Sequence, residues 1–260
     1  MITPDYEYYG LMVKYWDLLR GDTSNWADRF FYLDVIKKYG QPVLDVGCAS
    51  GRLILDFLSQ GIDIDGVDIS PEMIALCQQN AEKKGLKPNL YVQSMIELNL
   101  PRKYKTVLVP SSSFQLLLEP ELPLQALQAM KSIYAHLEPG GALVAAFMTL
   151  GQGGAPLEGE FTGEATRPED GATVRRRGWY RFNPDTNMAD SRDTWEVIKD
   201  GHVIESEMHE QIPATRSYTQ TEATALFEQA GFMDIQVFSV FTFEPVKPTD
   251  TTFSLIGIKP

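Results

Sequence analysis

A chain of 260 residues with 43% hydrophobic and 11% aromatic side chains carries enough apolar material for one sizeable core plus an insertion. Its formal net charge of -12 opposes phosphate backbones and anionic lipid, so neither nucleic acid nor a membrane is the expected partner. Two cysteines, Cys48 and Cys77, with neither metal-ligand spacing nor a disulfide framework, suit a reducing cytoplasm; the acidic, aromatic start MITPDYEYYG does not read as a signal peptide, and no apolar run approaches membrane-spanning length.

In chain order, two helices are expected over 10–20 and 27–39. Tyr6, Tyr8, Tyr9, Tyr15 and Trp16 crowd into the first, which reads as a cap over a crevice with Tyr9 and Tyr15 as its ligand contacts. The run VLDVGCASGR at 43–52 follows: a short apolar strand holding Leu44 and Val46, then a turn in which Gly47 and Gly51 permit a sharp reversal into a helix. At the end of the next expected strand, 62–68, Asp68 falls about 20 residues beyond the turn, where a first βαβ unit places the acid that holds a ribose. Asp65 is the alternative if the strand slips. Ser70, Pro71 and Glu72 supply an N-cap, a first-turn proline and a carboxylate at the positive helix end, with Ile74, Cys77 and Ala81 as the buried stripe.

Strands over 90–93, 106–110 and 142–148 continue the alternation, with a helix striped by Leu127, Met130, Tyr134 and Leu137 before the Glu138–Gly141 stop; His136 in its last turn is explained by the carbonyl end of that helix. Alternating strands and helices argue for a parallel sheet. The glycine-rich run 151–159 breaks the alternation. Three antiparallel strands are expected over 174–182, 188–199 and 202–212, the last two joined by the tight turn Asp200-Gly201. On the third, His209 alternates with Glu207 and Gln211, a polar face suited to lining a pocket, although a solvent-facing sheet gives the same pattern. Of Arg175, Arg176 and Arg177, alternation sends Arg176 to the opposite face. Thr219 and Glu222 form a capping box for a helix ending at Gly231, and strands over 235–243 and 252–258 close the chain.

The glycine turn does not fit a nicotinamide dehydrogenase, since the G-x-G-x-x-G register is missing and no Tyr-x-x-x-Lys pair occurs. Asp45, one residue before the turn, would repel a pyrophosphate but accepts a hydrogen bond from an ammonium group. A cationic amino acid joined to a nucleoside answers both Asp45 and Asp68.

DVGCASG at 45–51 resembles motif I of the S-adenosylmethionine-dependent methyltransferases of the Rossmann-like class, D-x-G-x-G-x-G, with Ala49 in place of the middle glycine. LEPGG at 137–141 resembles the family's turn before its fifth strand and AGF at 230–232 the turn after its last long helix, so the likeness covers residues 40–150 and 213–260. The layout looks most like the sugar N-methyltransferases and glycine N-methyltransferases. The resemblance implies an α/β fold: a doubly wound, seven-stranded, mostly parallel sheet with an antiparallel last strand. It also implies a helical lid over 1–40, a donor-binding core over 41–150 and 213–260, and an antiparallel sheet inserted over 151–212 above the acceptor.

By the same resemblance Asp45, Gly47 and Gly51, with Cys48 and Arg52 of the same turn, receive the methionyl part of S-adenosylmethionine. Asp68 takes the ribose hydroxyls, Ile69 and Met73 one face of the adenine, and Ser94, Met95 and Ile96 its edge. Pro110, Ser111 and Ser112 flank the methyl group. The Asn/Asp-Pro-Pro-aromatic motif of base and glutamine methylation is absent from VPSSSF, as is a cysteine nucleophile. Gln115 orients the acceptor and His209 lines its pocket, as the two catalytic candidates, and no metal is implied. The expected activity is methyl transfer to a nitrogen or oxygen of a small-molecule acceptor, mainly through proximity and orientation. A non-catalytic S-adenosylmethionine-binding protein and a methyltransferase acting on protein or RNA are the alternatives, and exposed strands of the insertion allow a homodimer.

Overall fold

The computed structural model describes residues 6–111, 113–118, 124–151 and 157–260. Ser112 and most of the glycine-rich run at 151–159 lie outside them. The helices are α1 (Gly10–Arg20), α2 (Ala27–Tyr39), α3 (Arg52–Ser59), α4 (Pro71–Lys83), α5 (Leu124–His136) and α6 (Gln220–Ala230). The strands are β1 (Val43–Val46), β2 (Ile64–Asp68), β3 (Asn89–Val92), β4 (Tyr104–Val109), β5 (Leu137–Met148), β6 (Glu158–Thr166), β7 (Thr173–Asn183), β8 (Met188–Lys199), β9 (His202–Arg216), β10 (Met233–Ser239) and β11 (Thr252–Ile258). No helix among the described residues is long and apolar enough to cross a membrane.

Seven strands form one sheet in the order β10-β11-β5-β4-β1-β2-β3, in which β11 runs antiparallel to both its neighbours. The doubly wound sheet with one antiparallel strand is therefore as expected. Period-two alternation feeds two core layers. Leu44, Val46, Val107, Val109, Leu143, Ala145 and Phe147 point to the side covered by α5 and α6, while Val43, Leu108, Ala142 and Val144 point to the side of α2, α3 and α4. Strand order reverses between β1 and β4, so a crevice opens beyond their carboxyl ends.

Local signals account for the helix ends. Ser70 Oγ accepts the Met73 N–H at 3.1 Å, the Thr219–Glu222 capping box is formed, and Gly231 closes α6 in the left-handed region. Asp200 and Gly201, with φ of 50° and 78°, make the two-residue hairpin between β8 and β9.

The inserted sheet has four strands, β6-β7-β8-β9, one more than expected. β6 reads EGEFTGEAT, a half-exposed edge strand without apolar alternation, so periodicity gave no signal for it. β9 continues past Pro213 to Arg216 rather than stopping at 212. It is an edge strand, so a residue without an N–H is tolerated there. β10 stops at Ser239, short of the expected 243, where the chain turns and Phe241 adopts a positive φ. As alternation required, Arg176 pairs with Asp193 on the inner face while Arg175 and Arg177 pair with Glu196 on the outer one.

α1 lies between the two sheets. Met12 and Tyr15 pack on Ala172, Val174, Trp195 and Val197 of the insertion, while Asp17 accepts from Ser50 Oγ at 2.6 Å and from Asn80 at 2.8 Å on the core side. The core converges on Phe147, fully buried among the rings of Phe114, Tyr218, Phe227 and Phe253. Phe147→Ala is expected to lower unfolding free energy by about 3–5 kcal/mol in urea titration, because a large ring is removed from a site whose neighbours cannot collapse onto it.

Candidate functional site

A cavity of about 620 Å³ lies over the carboxyl ends of β1, β2 and β4, roofed by β9 and by the segment that leads into α1. That volume suits a ligand of several hundred daltons. The turn after β1 makes its floor. Gly47 and Cys48 donate their N–H groups to Val67 O at 2.8 and 3.1 Å, so the turn is fastened to β2. Gly47 has φ 75°, and a Cβ there would lie 2.9 Å from Ser113 Oγ; Gly51 has φ 93°, and a Cβ there would lie 2.6 Å from Cys77 Sγ. Both positions therefore require glycine. Ala49 also sits in the left-handed region, at φ 47°, which costs roughly 1–2 kcal/mol for a residue with a Cβ.

Asp68 holds this turn in place. Its carboxylate accepts the Ala49 N–H and the Ser70 N–H, each at 2.9 Å, and spare lone pairs are left on both oxygens at the cavity wall. Burial pushes its pKa up, against the pull of those backbone donors. Asp45 is more deeply buried, and its Oδ1 has no hydrogen-bond partner among the described residues. Its pKa is pushed up to about 7, first by burial and further by the Asp68 charge, with Arg52 opposing. Arg52 is engaged elsewhere: its guanidinium grips Asp28 through two nitrogens and lies over the Trp26 ring. Two carboxylates at adjacent strand ends, one with an oxygen that has no hydrogen-bond partner among the described residues, make a cradle for a cation.

Of the sequence-derived donor contacts, Tyr9, Asp45, Gly47, Cys48, Arg52, Asp68, Ile69, Ser94, Met95, Pro110 and Ser111 line this cavity, and so does His209. Tyr15, Gly51, Met73, Ile96 and Gln115 are not in its wall. Tyr15 is core between α1 and the inserted sheet, and its hydroxyl accepts from Arg167 at 2.7 Å. Gly51 caps α3 behind the turn, Met73 is fully buried in α4, and Ile96 packs against the α5 and α6 side of the core. Asp65 is out of reach too, held by Arg102, Asn89 and the Tyr104 hydroxyl.

Gln115 has a structural post. Its Nε2 donates to Met148 O at 2.9 Å and to Arg216 O, and its Oε1 accepts the Met148 N–H at 2.8 Å. The amide is spent on backbone and is not offered to a ligand, which corrects the expectation that it orients an acceptor. The strand-end segment signalled a polar residue near the site; it could not signal that two backbone strands meet there.

His209 is almost fully buried on the inner face of β9, with the Tyr9 ring 4.3 Å away and Glu207 Oε1 2.7 Å from its Nε2. Burial lowers its pKa and Glu207 acts the other way. Sequence reasoning missed Glu7 and Arg20 in the cavity wall. Glu7 is raised to about 7 by burial and by Asp193, and Arg20 stacks over Trp16 at 4.8 Å. The aromatic crowding pointed to that segment, though not to the charges within it.

Residues 43–141 match the family described as a methyltransferase domain. A Geobacillus sp. (strain WCH70) protein that bears a methyltransferase name is 30% identical over 135 residues, which are 50% of this chain and 53% of that protein. The chain spans about half the length of that curated relative, and 35% and 42% of the next two. Among solved structures, an S-adenosylmethionine-dependent methyltransferase from Clostridium acetobutylicum superposes with a TM-score of 0.74 at 17% identity, over 94% of this chain and 96% of that one. The sugar N-methyltransferase KedS8 from Streptoalloteichus sp does so with a TM-score of 0.73 at 18% identity, over 100% and 96%.

Gln115→Ala is expected to cost about 1–3 kcal/mol of stability in denaturant titration, because buried backbone groups of Met148 and Arg216 lose their partner. Ligand affinity of the folded fraction should stay near that of the parent protein.

Proposed function

We propose that this chain, whose residues 43–141 form a methyltransferase domain on the Rossmann-like fold of the S-adenosylmethionine-dependent methyltransferases, methylates a nitrogen or oxygen of a small molecule. The observation that carries the reading is the pair Asp45 and Asp68. A buried carboxylate oxygen with no hydrogen-bond partner among the described residues is costly unless a cation meets it, and the second carboxylate, on the next strand end at the cavity wall, supports a ribose hydroxyl pair as its ligand. A cationic amino acid joined to a nucleoside satisfies both, and the residues present fit S-adenosylmethionine on that ground.

When bound, that group would supply a methyl carried on a sulfonium, whose sulfur would keep the S–C electron pair as a lone pair of the acceptor took the methyl. The chain's own work is then alignment and exclusion of water. The glycine turn and Asp68 fix the donor end, Pro110 and Ser111 border the crevice, and β9 with Tyr9 closes it from above. His209, on that roof, takes the acceptor's proton, so a neutral amine or hydroxyl gains the methyl without ending as a cation or oxonium. A roofed cavity supports a small acceptor over a protein or RNA, and the likeness to a sugar N-methyltransferase supports an amine on a polar scaffold.

The test is calorimetric titration with S-adenosylmethionine, S-adenosylhomocysteine and NADH, followed by a panel of amino and hydroxy sugars scored by release of S-adenosylhomocysteine. Binding of both sulfur nucleosides without NADH is expected; binding of neither would overturn the reading. Asp68→Ala is expected to weaken donor binding by about 1–3 kcal/mol, or roughly 5–150-fold. A pH effect follows from Asp45. Its pKa near 7 in the free protein falls when a cation docks, so docking expels a proton and affinity rises as pH climbs from 6 to 7.5. Asp45→Asn should flatten that slope while Glu7, which titrates in the same range, is still present.

A further inference from the structure

The roof of the cavity and the lid helix meet at one carboxylate. Glu207 stands on the inner face of β9, and its two oxygens serve different elements: Oε2 accepts the Leu11 N–H at 3.1 Å, and Oε1 lies 2.7 Å from His209 Nε2. α1 has no cap of its own, since Tyr9 makes no side-chain cap bond and the first turn holds no acidic residue. Its first two N–H groups go to outside carboxylates instead, Gly10 to Glu72 at 2.7 Å and Leu11 to Glu207. Gly10 makes this approach possible. It sits at φ 57°, and a Cβ there would lie 2.3 Å from both Glu207 oxygens.

The histidine is enclosed by the same parts. Tyr9, which leads into α1, lays its ring on His209; Asp193 of β8 and Arg176 of β7 face it from the sheet, and Glu7 faces that pair from the lid segment. Neither ring nitrogen of His209 has an aligned hydrogen bond to the described residues. Which nitrogen takes a proton is therefore set by what steadies the other.

We propose that Glu207 is a positioning residue that makes docking of α1 and orientation of the His209 imidazole one event. With the helix docked, Leu11 holds one oxygen while the other stands 2.7 Å from Nε2, where its charge favours the imidazolium over the neutral ring. This rests on the reading of His209 as proton acceptor. In that step the acceptor's N–H or O–H bond breaks, its electron pair stays on the acceptor, and the proton moves to the imidazole; the imidazolium later releases it to water. Because one carboxylate serves both partners, the link is reciprocal: docking raises the proton affinity of His209, and protonation of His209 tightens docking by the same factor. The lid then stays shut after methyl transfer until the ring has lost its proton.

The test uses the full chain and needs no acceptor. NMR follows the His209 titration and the exchange of the Leu11 and Gly10 amides from pH 5.5 to 8, with exchange corrected for its intrinsic pH dependence. In the parent protein, protection of both amides is expected to fall about fivefold as His209 deprotonates. Glu207→Gln should flatten that dependence and move the His209 midpoint down. Glu72→Gln, which loosens the lid without touching Glu207, should also move the midpoint down. A midpoint unmoved by both variants, or protection of the parent protein that does not follow His209, would overturn the link. Failure of S-adenosylmethionine to bind in calorimetry would instead remove the methyl-transfer reading and leave the link standing.

Discussion

The Asp68 carboxylate is the tie on which the site depends. It accepts the N–H of Ala49 in the turn after β1 and the N–H of Ser70 at the head of α4, so two separate loops are fixed at one strand end. Ser70 carries the tie further, accepting the Met73 N–H and donating its hydroxyl to Tyr8 O at 2.7 Å. One hydrogen-bonded path thus runs from the glycine turn to the segment that closes the cavity. A strained residue in that turn, Ala49 with its positive φ, is held by the same carboxylate. Strain of this kind persists where the surroundings over-determine the backbone.

Electrostatics divide the molecule by face. The outer face of the inserted sheet carries exposed pairs such as Arg192–Glu210 and Arg181–Glu158, each a small contributor in water. The inner side gathers Asp45, Asp68, Glu7, Asp193 and Glu207 with fewer cations, and burial shifts several of them toward neutrality. A cationic ligand is thus favoured by the field of the cavity as well as by any single contact.

Much of this was legible in the sequence. Val43 to Gly51 announced a strand, an acid and a turn because glycine spacing and apolar runs are local, and Thr219 with Glu222 or Asp200 with Gly201 announced ends for the same reason. What escaped was set by tertiary partners. β6 lacks alternation because it is an edge, β9 crosses a proline because nothing pairs on that side, and Gln115 looks like a ligand residue until Met148 and Arg216 are seen beside it. Tyr15 is of the same kind, an aromatic whose neighbours in the inserted sheet lie more than 150 positions away along the chain.

That arrangement around Gln115 gives the insertion a narrow neck. Its incoming and outgoing strands lie side by side, with Tyr218 N–H donating to Met148 O at 3.2 Å, Thr149 Oγ1 donating to Tyr218 O at 2.7 Å and Leu150 N–H donating to Ser217 Oγ at 2.8 Å. A segment whose ends already meet adds little closure entropy to the body it leaves, whatever its length. The roof is consequently modular. Drift in the inserted strands can reshape what enters from above while the floor beneath keeps its register, so one end of the cavity can change shape without disturbing the turn and strand ends at the other.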